Sequence, residues 1–181
     1  NSPKGVAWRL EGVDIPNPNH FAGANVAGGG AVTAFSSQML DNSDFYTGAF
    51  PSEYGNAMAG VFDMKLRNGN NEKYEHTFQA GTMGIDFASE GPLGKIGGAS
   101  YLFNYRYSTL GFLTKTKIVN TDEIIAYQDL SLKINIPTTR AGTFSFWGIG
   151  SYDEDTKPEE YDSASWEFES DRQNFKWTQG M

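Results

Sequence analysis

Residues 100–108 read SYLFNYRYS and residues 129–136 read DLSLKINI, and these two stretches decide the fold class. In the first stretch every odd position from 101 to 107 is aromatic. In the second every even position is aliphatic, and the odd positions carry Asp, Ser, Lys and Asn. Side chains that alternate with period two lie on opposite faces of a β-strand. The pattern therefore predicts strands with one apolar face and one largely polar face.

Shorter segments on either side of these stretches repeat the alternation, at residues 74–79, 85–90 and 143–146. The connectors between the predicted strands differ in length. They are short at 91–97 and 137–140, and long at 111–123 and at the acidic segment 153–171. The chain has 13 Phe, 9 Tyr and 4 Trp, yet its mean hydropathy is −0.48. Strands with alternating polarity, joined by short turns and long polar loops, are typical of an outer-membrane β-barrel.

Composition excludes or disfavours several classes of protein. The formal charge of −8 disfavours a nucleic-acid partner, which needs a basic surface. The lack of cysteine excludes disulfides, Fe–S clusters and thiol catalysis. His20 and His76 are the only histidines, which disfavours a His-rich zinc site. The sequence contains no run of about 18 apolar residues, so no transmembrane helix is predicted. We expect no metal, no cofactor and no enzymatic activity, since no phosphate-loop, nucleophile-elbow or calcium-loop spacing occurs.

The first 70 residues have a different character, rich in Gly, Ala, Asn and Pro. Strands are predicted at 6–13, 44–48 and 61–67, and two prolines predict a loop at 15–21. Residues 31–40 fit a short helix or an extended segment equally well. Both ends of the chain lie close to strand-like sequence, without a signal peptide or an initiator methionine, so we expect a piece of a longer protein.

Two segments of this first part resemble the plug domain of TonB-dependent outer-membrane receptors. Residues 10–16, LEGVDIP, followed by an Asn-rich loop, are similar to the strand, Asp-Gly pair and loop of that plug, with Glu11-Gly12 in place of the commoner Asp-Gly. Residues 45–65, FYTGAFPSEYGNAMAGVFDMK, are similar to its closing segment, with matches at Tyr54-Gly55 and Gly60-Val61. The sequences of these two segments are most similar to receptors of the Bacteroidetes type, which often carry an additional N-terminal carboxypeptidase-regulatory-like domain.

The resemblance extends over about the whole chain and implies a fold. Residues 1–70 would be the C-terminal half of a mixed plug domain. Residues 71–181 would be the first five or six antiparallel strands of a 22-stranded transmembrane β-barrel, so the fold would be mainly β and incomplete.

The same resemblance implies active transport in the outer membrane of a Gram-negative bacterium. A receptor of this family binds a scarce ligand outside the cell and imports it with energy transduced from the inner membrane. Its partners would be outer-membrane lipid and the TonB energy-transducing complex, reached through an N-terminal segment missing from this sequence. The ligand, a small molecule, a glycan or a peptide, stays open, and so does a surface lipoprotein partner.

The resemblance also suggests site residues. The loop after the Asp-Gly strand would contact ligand from the top of the plug, and it contains Asn17, Asn19, His20 and Phe21. The polar strand faces would line the lumen or contact the plug. That second set comprises Asp86, Glu90, Asn104, Arg106, Asp129 and Lys133.

Two other functional classes stay open. One is an outer-membrane barrel without a plug, passive or adhesive. The other is a soluble β-sandwich that binds a ligand such as a glycan. A sandwich would need a second sheet to cover the aromatic strand faces, including residues 101–107.

Overall fold

The chain is built from β-strands joined by turns and loops. The computed structural model describes residues 5–20, 32–55, 57–81, 84–94, 97–109, 124–156, 160–161, 168–169 and 172–180. Within these residues there are fourteen strands and no α-helix, so the prediction of a mainly β chain is confirmed. Nor does this part of the chain contain a helix long and apolar enough to cross a membrane.

The N-terminal half, residues 5–70, contains a mixed four-stranded sheet with the order β2-β1-β6-β5. Its strands are β1 (Val6–Leu10), β2 (Val13–Ile15), β5 (Asp44–Tyr46) and β6 (Gly60–Met64). β1 and β6 run parallel, and the other neighbours are antiparallel. A second, two-stranded sheet pairs β3 (Asn19–His20) with β4 (Val32–Thr33). The undecided segment 31–40 is therefore extended at β4, with turns and bends after it.

The segment predicted as one strand at 6–13 is instead a tight hairpin. β1 ends at Leu10, and Glu11 and Gly12 form the turn with φ of 49° and 81°. Two consecutive residues with positive φ define a type I′ turn, which favours Asn-Gly or Asp-Gly. Because glutamate rarely adopts this conformation, the sequence offered only the glycine as a turn signal.

The C-terminal part forms one antiparallel sheet of six strands in the order β14-β11-β10-β9-β8-β7. The strands are β7 (Glu75–Gly81), β8 (Gly84–Pro92), β9 (Ser100–Tyr107), β10 (Ile124–Thr138), β11 (Gly142–Thr156) and β14 (Arg172–Gly180). Two short strands, β12 (Glu160–Tyr161) and β13 (Phe168–Glu169), pair with each other in the connector before β14. Apart from β12 and β13, which lie between β11 and β14 in sequence, strands that are neighbours in this sheet follow one another along the chain.

One bound of the predicted connectors was wrong, and the structure adds a short connector that was not predicted. The acidic segment begins later than residue 153, because β11 extends to Thr156 and includes Asp153 and Glu154. In addition, β7 and β8 are joined by residues 82–83 only, at the same end of the sheet as the long connectors. The predicted boundary near residue 70 falls between β6 and β7.

The strand register sorts the side chains of this sheet into two faces. Leu130 lies opposite Tyr105 on one side and Gly150 on the other, whereas Asp129 lies opposite Arg106 and Ser151. We call the face with Leu130 the outer face and the face with Asp129 the inner face. The outer face exposes large apolar side chains: Phe78, Phe87, Tyr107, Leu130, Leu132, Phe144 and Phe146.

The inner face is covered by the N-terminal half. One continuous apolar core joins the two parts. Its buried members are Leu10, Ile15, Phe35, Met39, Met64 and Leu66 from the N-terminal half, and Leu102, Trp147 and Ile149 from the sheet. Burial of these side chains contributes roughly 1.5–3 kcal/mol each, so the two parts are held together partly by the hydrophobic effect.

The two parts approach so closely at Gly69 that we expect no larger residue to be tolerated there. A Cβ on Gly69 would lie 1.9 Å from the carbonyl oxygen of Tyr101 in β9. We expect Gly69→Ala to lower the free energy of unfolding by at least about 1–3 kcal/mol, because backbone must move to relieve the clash. The measurement is urea unfolding of both variants in one detergent or buffer.

The matched control is Gly150→Ala in β11, where a Cβ would have no heavy atom within 4 Å. It should leave the unfolding midpoint unchanged or raise it slightly. Equal effects of the two substitutions would contradict this packing of residues 67–70 on β9.

Candidate functional site

All six side chains predicted to line a lumen or contact a plug lie on the inner face. Asp86 and Glu90 are on β8, Asn104 and Arg106 on β9, and Asp129 and Lys133 on β10. Five of them bond directly to residues of the N-terminal half, and Asn104 does so through Asp86. These contacts form three groups, centred on Lys133, on Glu90 and on His20.

The first group fastens the β1–β2 turn to β10. The buried ammonium of Lys133 donates to the carboxylate of Glu11 at 3.0 Å and to the carbonyl oxygen of Leu66 at 2.6 Å. The same Glu11 oxygen accepts from the backbone N–H of Leu66 at 2.6 Å. These bonds hold Glu11 in its positive-φ conformation, which a glutamate would otherwise avoid. The turn therefore depends on a partner more than 120 residues away.

The second group attaches the chain after β6 to β8. Arg67 makes a two-pronged ion pair with Glu90, with nitrogen–oxygen distances of 2.8 and 2.7 Å. Glu90 also accepts from the backbone N–H of Asn70 at 2.7 Å, and Arg67 donates to the carbonyl oxygen of Gln38. A planar guanidinium matches a carboxylate in this geometry, so the contact fixes direction as well as charge.

Asp86, farther along β8, receives hydroxyl and amide donors. Ser36 donates to its carboxylate at 2.7 Å and Gln38 at 3.4 Å, both from the segment after β4. Asn104 on the adjacent strand donates as well. A carboxylate can accept about four hydrogen bonds, so Asp86 is largely satisfied by protein groups.

The third group surrounds His20, the second residue of β3. Its side chain is buried, with only 2% of the residue exposed. Nε2 lies 2.7 Å from Oδ1 of Asp129, and Nδ1 lies 3.6 Å from Oδ1 of Asp153. The hydroxyl of Ser151 donates to Asp129 at 2.8 Å. The imidazole of His20 therefore lies between carboxylates of two adjacent strands, β10 and β11.

Arg106 extends this group towards β4. Its guanidinium lies 3.2 Å from Oδ2 of Asp129 and 5.4 Å from the ring centre of Tyr127. The same side chain donates to the carbonyl oxygens of Thr33 at 2.9 Å and Phe35 at 3.0 Å. One arginine thus bonds the backbone of the N-terminal half and the carboxylate of Asp129 that His20 contacts.

The environment of His20 shifts its ionisation. Burial disfavours the imidazolium and lowers the pKa of His20, but the hydrogen bonds and negative charges of Asp129 and Asp153 outweigh burial. The net result is a pKa above the ordinary 6.5. The folded structure therefore favours the protonated histidine.

Ser151, Asp129 and His20 are the residue types of a hydrolytic triad, but their order in space is different. The carboxylate lies between the hydroxyl and the imidazole, with contacts of 2.8 and 2.7 Å. A triad needs the imidazole between the other two, so that it can take the hydroxyl proton. These contacts therefore attach β3 to the sheet, and they do not place His20 where it could activate the Ser151 hydroxyl as a nucleophile. Among the described residues no three His, Asp or Glu side chains are grouped to hold a metal ion.

The four residues predicted to contact ligand have separate positions. Asn17 and Asn19 are partly exposed, and the Asn17 side chain accepts from both the backbone N–H and the amide of Asn19, at 3.1 and 2.8 Å. His20 is directed inward, where Asp129 and Asp153 surround its ring. Phe21 lies outside the described residues. Of this set, Asn17 and Asn19 retain surface that a ligand could reach.

A cavity of about 460 Å³ opens between the N-terminal half and the β7–β8 end of the sheet. Its polar lining includes Ser36, Ser37, Gln79, Asp86 and Arg106, and Tyr127 adds an aromatic wall. The volume suits a small molecule. The sequence-based prediction included two of these residues, Asp86 and Arg106, but no cavity.

Several inner-face residues were missed. Trp147, Ile149, Ser151 and Asp153 continue the alternation that Thr143 and Ser145 begin, and all four are buried. Extending the period-two pattern past Phe146 would have found them. Glu11 and Arg67 had no comparable signal, because their partners lie far away in the sequence.

Comparison with known proteins identified no relative of this chain. Models of known protein families, curated proteins and solved structures all give no match to this chain.

The Lys133 group predicts a strong effect of removing one charge. We expect Lys133→Met to lower the stability of the docked N-terminal half by about 3 kcal/mol, because the Glu11 carboxylate loses its buried cation. Hydrogen exchange of the amides at 6–15 reports this loss, which should appear as faster exchange of the β1–β2 hairpin.

The matched control is Lys73→Met, which breaks an exposed pair with Glu75 at 2.7 Å. Because water screens this exposed pair, it contributes little to stability, and exchange at 6–15 should be unchanged. Equal exchange in both variants would contradict the role assigned to Lys133.

Proposed function

We propose that this chain is part of a TonB-dependent outer-membrane receptor. Residues 1–70 are then the later part of its plug domain, and residues 71–181 are the first strands of its transmembrane barrel. The receptor binds a scarce ligand outside the cell and imports it with energy from the inner membrane. The observation that carries this proposal is the polarity of the six-stranded sheet, which is apolar on its exposed face and charged on its covered face.

This polarity is the reverse of what water-soluble sheets need. A soluble sheet buries its apolar face and turns its charges to water. Here Asp129 and Lys133 are buried, whereas Leu132 is 39% exposed and Phe146 is 53% exposed. A lipid environment removes the contradiction, because a transmembrane barrel alternates apolar residues facing lipid with polar residues facing its lumen.

The strand lengths are also consistent with a membrane. A tilted transmembrane strand needs about 9–11 residues. β8 and β14 have 9 residues and β10 and β11 have 15 each, whereas β7 and β9 are slightly shorter, with 7 and 8. The longer strands would continue beyond the bilayer on the side of the long connectors, as barrel strands often do.

The position of the N-terminal half supports a plug and not merely an adjacent domain. It covers the inner face with a shared apolar core and with the Lys133, Glu90 and His20 groups. These contacts match the chemistry expected where a plug fills a polar lumen. The edges of the sheet, β7 and β14, do not pair with each other, so closing the barrel would take further strands.

The alternatives account for fewer of these observations. A β-sandwich would cover residues 101–107 with a second sheet, but within the described part of the chain no sheet lies on the outer face. A barrel without a plug would leave the inner face to water, whereas here the N-terminal half covers it. The ligand remains a small molecule, a glycan or a peptide, and a surface lipoprotein partner stays open.

Cell fractionation tests the proposal directly. Native cells are separated into soluble, inner-membrane and outer-membrane fractions, and each is probed with an antibody raised against this chain. The expected result is a detergent-soluble outer-membrane species several times larger than 19.9 kDa. A stable soluble species near 19.9 kDa would overturn the proposal and favour the β-sandwich.

A charge on the outer face distinguishes lipid from water. Leu132 lies mid-strand on that face, opposite Phe103 and Gly148. In a bilayer we expect Leu132→Arg to cost about 2–4 kcal/mol and to reduce the amount of protein assembled in the outer membrane. If this face contacts water, the same substitution should be close to neutral.

The matched control is Thr139→Arg in the exposed β10–β11 turn. Its arginine would lie at the membrane surface, so assembly should be normal. Heat-modifiable gel mobility of the intact protein measures assembly for both variants, and equal assembly would count against a lipid-facing Leu132.

A further inference from the structure

Each nitrogen of the His20 imidazole lies near a carboxylate oxygen. Nε2 faces Oδ1 of Asp129 at 2.7 Å and Nδ1 faces Oδ1 of Asp153 at 3.6 Å. A neutral imidazole has a single N–H, so it would direct a nitrogen lone pair at one of these carboxylate oxygens. Only the imidazolium presents an N–H to both carboxylates. The geometry therefore fits a protonated ring.

The described titratable and charged groups around this ring belong to three strands of the sheet. They are Asp129 and Tyr127 on β10, Asp153 on β11 and, paired with Asp129, Arg106 on β9. Carboxylates outnumber cations in this set unless His20 adds a charge. Because burial of unbalanced charge is costly, loss of the proton should weaken the contact between β3 and the sheet.

We propose that His20 is a proton-dependent latch: the β3–β4 sheet docks on strands β10 and β11 when the imidazole carries a proton, and it loosens when that proton is lost. Docking and proton uptake are then one coupled equilibrium. This inference rests on the contacts of His20 and does not depend on the proposed transport function.

Arg106 keeps the chain around β4 attached to the sheet when the His20 contact is lost. Its guanidinium donates to the carbonyl oxygens of Thr33 and Phe35. The segment after β4 therefore keeps an attachment that does not involve His20. The loosened state should affect β3 most, and the contacts at Lys133 and Glu90 should be retained.

The direction of the pH effect follows from the raised pKa of His20. When the latch opens, the ring returns to an ordinary pKa of about 6.5, so below that pH both states hold the proton and the stabilisation is complete. Between about pH 6.5 and the higher folded pKa, only the docked state holds the proton. Each pH unit there should lower the protection of β3 by up to about tenfold.

Hydrogen–deuterium exchange of the intact protein tests the latch. Amides at 19–20 and 32–33 are followed from pH 5.5 to 9, after correction for the intrinsic rate of exchange. We expect their protection to fall as pH rises above about 6.5 in the native protein. Protection of the β1–β2 hairpin should not change. A pH-independent protection of β3 in the native protein would overturn the proposal.

Two histidine variants separate His20 from other groups. His20→Gln keeps a polar side chain without a titrating proton and should abolish the pH step. His76→Gln is the control, because His76 is exposed and contacts only the hydroxyl of Ser89 and the ring of Phe87 in the described structure. It should retain the step. A step that survives in His20→Gln would overturn the proposal.

A direct titration covers the case in which His20→Gln does not fold. The two imidazoles of the native protein are labelled with 13C and titrated by NMR, with His76→Gln used to assign the signals. Titration of His20 above pH 6.5 supports the latch. Titration below pH 6.5 would overturn it, because the docked state would then disfavour the proton.

Discussion

The structure depends on one constraint: the charged face of the six-stranded sheet must find partners away from water. Asp129, Lys133 and Glu90 lie on strands whose backbone positions are set by the ladder hydrogen bonds. Their side chains cannot turn to the other face, since strand residues alternate strictly. The N-terminal half satisfies them with His20, Glu11 and Arg67. The apolar core between the two parts adds attraction, and the charged contacts set the relative position.

The alternation in β8, β9 and β10 was enough to predict strands with the six polar side chains on their polar faces, and the resemblance supplied the antiparallel order. Period-two patterning is a local property, so sequence alone reveals it. Most of the outer face was predicted from the same pattern, through Leu130, Leu132, Phe144 and Phe146. Whether that face meets lipid is a different question, because exposure to solvent and exposure to a bilayer have the same geometry.

The contacts between the two parts could not be predicted in this way. Glu11 adopts a turn conformation that its own preferences disfavour, and the ammonium of Lys133 that helps to hold it lies 122 positions along the chain. His20 looked like a surface loop residue after two prolines, yet it is buried by strands β10 and β11. Such residues are determined by tertiary partners, and a single sequence carries no local signal for these partners. The expectation of ligand contact came from the resemblance to a plug, in which the corresponding loop faces outward, whereas the ring of His20 faces Asp129 and Asp153.

The three groups of contacts between the halves differ in how they respond to conditions. The Glu90 group is built on the guanidinium of Arg67 and the Lys133 group on an ammonium. The imidazole of His20 is the one of the three cations whose ordinary pKa lies near neutral pH, and Asp129 and Asp153 raise that pKa. A change in pH would therefore act on β3 and leave the other two groups attached. Added salt would instead weaken the Arg67–Glu90 contact first, because Arg67 is the most exposed of the three cations and is screened most. The N-terminal half is thus held by contacts that can be weakened separately, so it could loosen at β3 without leaving the sheet.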